Sequence, residues 1–296
     1  MIELTSNGAS MAIDPVGAEM RSFVDSNGKE CIWTGDPEVW KSSAPVLFPS
    51  IGFLKDGKVT IEGKPYEIPK HGFVRGMLFE VTEQGDDFVT LSIHETAETK
   101  QCYPFDFALS VTYRFAKNGF EARFTVENHS SRPMPFVLGG HPGFTCPMNQ
   151  GEQFSDYEIH FEKPETGEHR LCTLEHLIGE SEVCSLGADH RTLSLDYAAF
   201  DRLDTYIFDG LNSRSVELRH KQTSHGLRFS FPEMEVLALW TMPGKRAPYL
   251  CLEPWQGLPA CADETGRFED KPHHVTLGVG KAYCCGYRME LIDSVP

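Results

Sequence analysis

The stretch FALSVTYRFAKNGFEARFTVEN, residues 107–128, alternates apolar and polar side chains twice. Phe107, Leu109, Val111, Tyr113 and Phe115 fall on one face of an extended chain. Beyond them, Phe120, Ala122, Phe124 and Val126 fall on one face of the next. Successive strand residues point to opposite sides, so a period of two buries one face and leaves the other in water. Between the runs stands Asn118-Gly119, a dipeptide that accepts the positive φ of a tight turn. The pattern predicts a long β-hairpin.

Working outward, KVTIEGKPYEI (58–68) predicts a second hairpin, and SVELRHKQTSHGLRFSF (215–231) a third, in which Val216 and Leu218 face Leu227, Phe229 and Phe231. Helical periodicity is scarce: DPEVWKSS (36–43) fits one capped turn, and CTLEHLIGESEV (172–183) a short helix. Strands that follow one another without intervening helices argue for antiparallel sheets, not βαβ units. The expected fold is therefore all-β, a large antiparallel β-sandwich. No repeat or low-complexity linker divides the chain, so one domain is expected over 1–296, with the polar segment from about 145 to 200 decorating the sheets as long connections.

The 27 basic and 43 acidic residues leave a formal net charge of −16, which repels phosphate backbones and anionic membrane surfaces. Nucleic acid and membrane are not expected partners. No stretch approaches the roughly 18 apolar residues of a membrane span, and the opening MIELTSNGASMAIDP lacks the plan of a signal peptide. The expectation is a cytoplasmic protein, a monomer or a homodimer. Its nine cysteines are an odd number without a CxxC pair, which points to reduced thiols. Asn128-His129-Ser130 fits a glycosylation sequon by chance.

Most of the 12 histidines lie in polar strand or loop contexts, where a solvated surface side chain is the ordinary account; these are His94, His129, His160, His169, His176, His190, His220 and His225. His273 and His274 sit in a charged loop-like stretch. His71 in PKHGFVR and His141 in GGHPGF differ, because small or rigid neighbours suit an irregular segment at a strand end, where backbone can approach a ligand. In YLCLEPWQGLPA, Glu253 ends a strand between apolar residues. A carboxylate there is costly to desolvate, and Trp255 beside it favours a raised pKa.

Two histidines and a glutamate permit proton transfer in both directions near neutral pH. In a cyclic aldose, removing the C1 hydroxyl proton while protonating the ring oxygen opens the ring. Rotation and reversal then give the other anomer, with no cofactor and no metal. Trp255 or Phe144 could stack on a pyranose, and Arg75 could reach its hydroxyls.

FPSIGFLKDGK, KHGFVR, GGHPGF, CLEPWQGLPA and VTLGVGKAYCCGYRMELI, in this order, resemble the aldose 1-epimerase (galactose mutarotase-like) family over about residues 12 to 292. The resemblance implies a supersandwich with the sugar in an open cleft on one sheet. It also implies Glu253 as the base at the C1 hydroxyl, His141 as the acid at the ring oxygen, and His71 as a second histidine near the anomeric centre that can share the acid role. Two positions depart from the family pattern. Phe53 stands where many relatives carry an arginine, and the substrate-binding aspartate is Asp204 or Asp209, of which Asp204 fits better. Three other readings remain open: a metal enzyme built on two histidines and a carboxylate, a non-catalytic carbohydrate-binding protein, and a hexose-6-phosphate 1-epimerase using Lys55, Lys70 and Arg75.

Overall fold

The computed structural model describes residues 1–173 and 175–292. The 107–128 hairpin forms as strands Phe107–Ala116 and Gly119–Asn128, paired in register from Asn128 opposite Phe107 to Gly119 opposite Ala116. The 215–231 hairpin forms as Ser215–His220 and Gly226–Ser230, with Val216 opposite Phe229 and Leu218 opposite Leu227. The long strand Ala282–Ile292 lies between these two hairpins and completes the middle of a nine-stranded antiparallel sheet.

An eight-stranded sheet contains Thr205–Phe208, Val236–Trp240, Tyr249–Gln256, Leu138–Gly140 and Gly143–Thr145. The two sheets meet through rings that alternate inward, such as Phe144 on Phe229 (5.6 Å between centroids) and Phe161 on Phe208 (5.4 Å). The buried apolar residues between them form one continuous cluster. Burying each such phenylalanine contributes roughly 1.5–3 kcal/mol. The fold is thus the antiparallel β-sandwich that the period-two pattern predicts, with Val59–Ile61 and Lys64–Tyr66 as the third expected hairpin.

Three expectations are corrected. Residues 172–183 hold no helix among the described positions: the strands Glu168–Cys172 and Ile178–Val183 pair there, with His169 opposite Glu182. Sheet-edge hydrogen bonds override a local helical preference that was weak to begin with. The segment 145–200 is more than a connection, since Tyr157–Phe161, Glu168–Cys172, Ile178–Val183 and Thr192–Ser194 extend the edges of both sheets. The helix Tyr197–Leu203 follows, capped by the Asp196 carboxylate on the Ala198 amide. Finally, His169 is not a surface residue. It is 1% exposed and packs against Tyr206 at 4.8 Å, and burial lowers its pKa.

DPEVWKSS is a closed turn, in which Asp36 accepts the Glu38 amide with its side chain and donates its own amide to the Trp40 carbonyl. Asn128 is fully buried with its amide bonded to the Arg132 and Leu277 carbonyls, so the sequon has no exposed acceptor. All nine cysteines are unpaired.

Candidate active site

The strands Leu138–Gly140 and Gly143–Thr145 both pair with Tyr249–Gln256, and they do so in one register, Gly139 opposite Trp255 and Gly143 opposite Cys251. Residues between those pairs keep the same offset, which places His141 directly opposite Glu253 on one face of the sheet. Cross-strand partners of an antiparallel pair are nearest neighbours. The His141 Nε2 and a Glu253 carboxylate oxygen are accordingly 3.3 Å apart. The strand does not end at Glu253, as the sequence suggests, but continues through Pro254 and Trp255 to Gln256.

The glycines of GGHPGF have a different purpose from the one expected. A Cβ at Gly139 would lie 2.5 Å from the Trp255 indole, and one at Gly143 would lie 3.0 Å from Trp40. They make room for aromatic side chains, not for ligand against backbone. Trp40 stacks on the His141 ring at 4.9 Å and 30°, and Trp240 meets the imidazole at a right angle at 5.4 Å while also packing edge-on against Trp40 at 5.4 Å. The His141 backbone amide is held by the Pro45 carbonyl at 3.0 Å.

His71 arrives from a loop. It has φ +64, followed by Gly72 at φ +76, where a Cβ would fall 1.9 Å from the Phe48 carbonyl oxygen; only glycine fits a left-handed residue packed so close. The His71 amide donates to the Gly52 carbonyl at 2.9 Å, and the Gly52 amide donates to His71 Nδ1 at 3.1 Å. A nitrogen that accepts an amide hydrogen carries no proton, so the neutral ring bears its proton on Nε2. The His71 and His141 centroids are 5.8 Å apart.

Glu253, His141, His71, Arg75, Asp204 and Trp255 all line one cleft of about 320 Å³. Asp204 sits just past the helix Tyr197–Leu203 at φ +63, and its carboxylate accepts from the Thr205 hydroxyl at 2.9 Å. Asp209 instead pairs with Arg170 at 3.0 Å, so of the two aspartates it is Asp204 that lies at the cleft. Phe144 is also outside: it faces the core, fully buried on Phe229. Lys55 ties down the Ala262 and Glu264 carbonyls, whereas Lys70 stands over the Phe53 ring at 4.6 Å within the cleft.

Sequence reasoning missed Trp40, Trp240 and His176, which also line the cleft. Trp40 lies in a turn with no local signal. His176, whose polar surroundings suggest a solvated side chain, stacks its ring on Phe53 at 5.3 Å.

Burial dominates the electrostatics. Glu253, 2% exposed, is pushed well above its ordinary pKa by desolvation and then by the Asp204 charge, opposed by Lys70. His141 is held well below its ordinary value by burial first, then by His71 and Arg75. His71 is lowered to about 3 by burial, Lys70 and Arg75. Both directions favour the neutral His141–Glu253 pair, in which the carboxyl keeps the proton that would otherwise sit on the imidazole, and the ion-pair tautomer has the same total charge.

Aromatic walls, a few converging polar side chains and a buried carboxyl–imidazole pair around an open cleft on a β-sandwich define a small-molecule site with acid–base groups. The chain belongs to the aldose 1-epimerase family, whose model matches residues 1–283. It is 33% identical over 285 residues to the plasmid-borne protein LacX of Lactococcus lactis subsp. lactis, covering 92% of each chain. A galactose mutarotase-like protein from Lactobacillus casei ATCC 334 superposes with a TM-score of 0.91 at 30% identity, covering 99% of this chain and 100% of that one. A galactose mutarotase related enzyme from Lactobacillus acidophilus does so at 0.90 and 28%, covering 99% and 98%.

Proposed function

We propose that the protein is an aldose 1-epimerase that interconverts the α and β anomers of an aldohexose. The observation that carries this reading is the buried His141–Glu253 pair, 3.3 Å apart on the floor of a sugar-sized cleft. A sugar that places its C1 hydroxyl and ring oxygen between the two groups meets one that takes a proton as the other gives one. In the ion-pair tautomer Glu253 removes the C1 hydroxyl proton and the His141 imidazolium protonates the ring oxygen. Ring opening leaves the proton on Glu253, and closure after rotation returns it.

Adjacency is what lets a buried pair move the proton. Desolvation penalises a lone carboxylate or a lone imidazolium, but an adjacent pair suffers less because its charges cancel. Trp40, stacked on His141, offsets part of the burial that disfavours the imidazolium. His71, neutral with its proton on Nε2, serves as a hydrogen-bond donor to the anomeric oxygens and not as the proton source. Asp204 and Arg75 hold hydroxyls, and Trp255 offers an apolar face.

A second reading, a hexose 6-phosphate as substrate, is favoured by one specific observation. Lys70 and Arg75 line the cleft, and neither meets a carboxylate in an ion pair among the described residues: Arg75 bonds Ser42 and Lys70 covers Phe53. A non-catalytic sugar-binding role gains no comparable support, because it has no use for a desolvated acid–base pair. Polarimetry on freshly dissolved α-D-glucose, α-D-galactose and their 6-phosphates tests both readings. Acceleration of the free sugars supports the first, acceleration of the phosphates alone supports the second, and none with any aldose removes the epimerase assignment.

A further inference from the structure

The face of Tyr249–Gln256 that presents Glu253 also presents Cys251 two residues earlier, since alternate strand residues share a side. His141, Cys251 and Glu253 each offer one ligand atom, and these three atoms lie within 4.8 Å of one another. All three residues are buried, Cys251 completely. The His141 atom nearest Glu253 is Nε2, at 3.3 Å from the carboxylate, and among the described residues the Nδ1 on the other side of the ring has no hydrogen-bond partner. The proton-transfer reading makes no use of Cys251.

We propose that His141, Cys251 and Glu253 form a binding site for a thiophilic d¹⁰ dication of the zinc class, which on binding blocks the cleft. The donor set is one imidazole nitrogen, one thiolate and one carboxylate, all ligands that zinc accepts. Bonds of about 2.0–2.3 Å to such ligands place neighbouring donors about 3.3–3.7 Å apart around a tetrahedral ion. The histidine–carboxylate separation of 3.3 Å already meets that spacing, and with all three atoms within 4.8 Å the thiol must close by no more than about 1.5 Å. His141 and Glu253 face the cleft, so the fourth position is left to water.

The step balances. The Cys251 S–H bond breaks and its proton leaves, the proton shared by His141 and Glu253 leaves, and metal–sulfur, metal–nitrogen and metal–oxygen bonds form. Two anions then neutralise the dication, which makes the site tolerable in a desolvated pocket. The inhibitory effect rests on the acid–base reading of the pair; the binding does not.

Cadmium titration of the full chain reads the site through the ultraviolet charge-transfer absorption of a cadmium–thiolate bond. Parallel titrations use Cys251→Ser and Cys251→Ala, each checked for folding by thermal melting. The expected result is a saturable absorption and a proton release in the wild type that both variants lack. Zinc is expected to inhibit anomerisation reversibly, with chelator rescue. The inhibitory concentration should rise at least about tenfold in either Cys251 variant, while activity without metal is retained. Equal absorption, proton release and zinc sensitivity in wild type and both variants overturn the proposal. If no aldose is turned over, absorption and proton release still decide it, so failure of the epimerase reading and failure of the metal site are told apart.

Discussion

Glu253→Gln removes the proton acceptor while keeping its volume. The side chain is 2% exposed and 3.3 Å from His141 Nε2, so a glutamine fits the same space and retains a hydrogen bond to the imidazole. What it cannot do is hold or release the shared proton. A positioned base is worth about 10²–10⁴-fold, equal to about 2.7–5.5 kcal/mol of barrier at 1.36 kcal/mol per decade. The loss should fall on kcat, with KM changed little, because the hydroxyl-binding side chains are untouched.

The same substitution has a stability consequence of opposite sign. With Glu253 raised above the ordinary 4.5, the folded state holds a proton that the unfolded state releases as pH rises through 4.5. Glu253 taken alone therefore contributes stability that is lost as pH rises above 4.5, by at most about 1.4 kcal/mol per unit for one proton, and in the wild type the depressed His141 offsets this up to 6.5. Glutamine has no such dependence. For a chain of this length that slope corresponds to about 2 °C of Tm per pH unit. Polarimetry and thermal melting at pH 5 to 8 should thus show a variant that is nearly inactive yet gains on the wild type in Tm as pH rises. A variant with activity within threefold of wild type would falsify the role of the carboxylate. A variant with a lower Tm throughout would show that the carboxylate is structural.

The shared proton also predicts a flat pH–rate profile: with His141 depressed and Glu253 raised, activity should persist well below pH 6.5, and a limb centred at 6.5 sinks the paired-proton scheme. His71→Asn should blunt acid unfolding; a histidine lowered to about 3 when folded and 6.5 when free contributes stability that is lost as pH falls from 6.5 towards 3, and melting across that range reads it. Trp40→Leu, which deletes the stack on His141, should lower kcat about 3- to 30-fold, as a cation–π contact of about 0.7–2 kcal/mol implies, with Trp40→Phe retaining most of it; equal rates in wild type and Trp40→Leu refute the tuning role. Gly72→Ala forces a Cβ onto the Phe48 carbonyl oxygen and should cost more than about 1 kcal/mol, seen as a lower denaturant midpoint.

The hairpin at 107–128 and its counterpart at 215–231 were legible because alternation is a local property, written in neighbours two apart and enforced wherever one face is buried. His71, His141 and Glu253 could be singled out for a related reason, since each stands among residues that make an ordinary surface or core role awkward. Of the strands in 145–200, Tyr157–Phe161 does keep the period, with Tyr157, Ile159 and Phe161 buried, but it is short; Glu168–Cys172 and Ile178–Val183 were not legible, because at the sheet margin polar residues occupy both faces and erase the alternation. The same holds for His169, whose burial depends on Tyr206 and Phe208 from a strand about 40 residues away.

What the sequence by itself determined was the strand character of most of the chain and the residue types available for proton transfer. Only the tertiary structure decided that His141 stands opposite Glu253, that Asp204 and not Asp209 reaches the cleft, that Trp40 covers the imidazole, and that Cys251 lies beside the pair. The first and last depend on register between strands more than 100 residues apart, and the other two on how loops and the helix Tyr197–Leu203 pack onto those strands. Register is chosen by the summed packing of whole sheets, a quantity that no local window of residues contains.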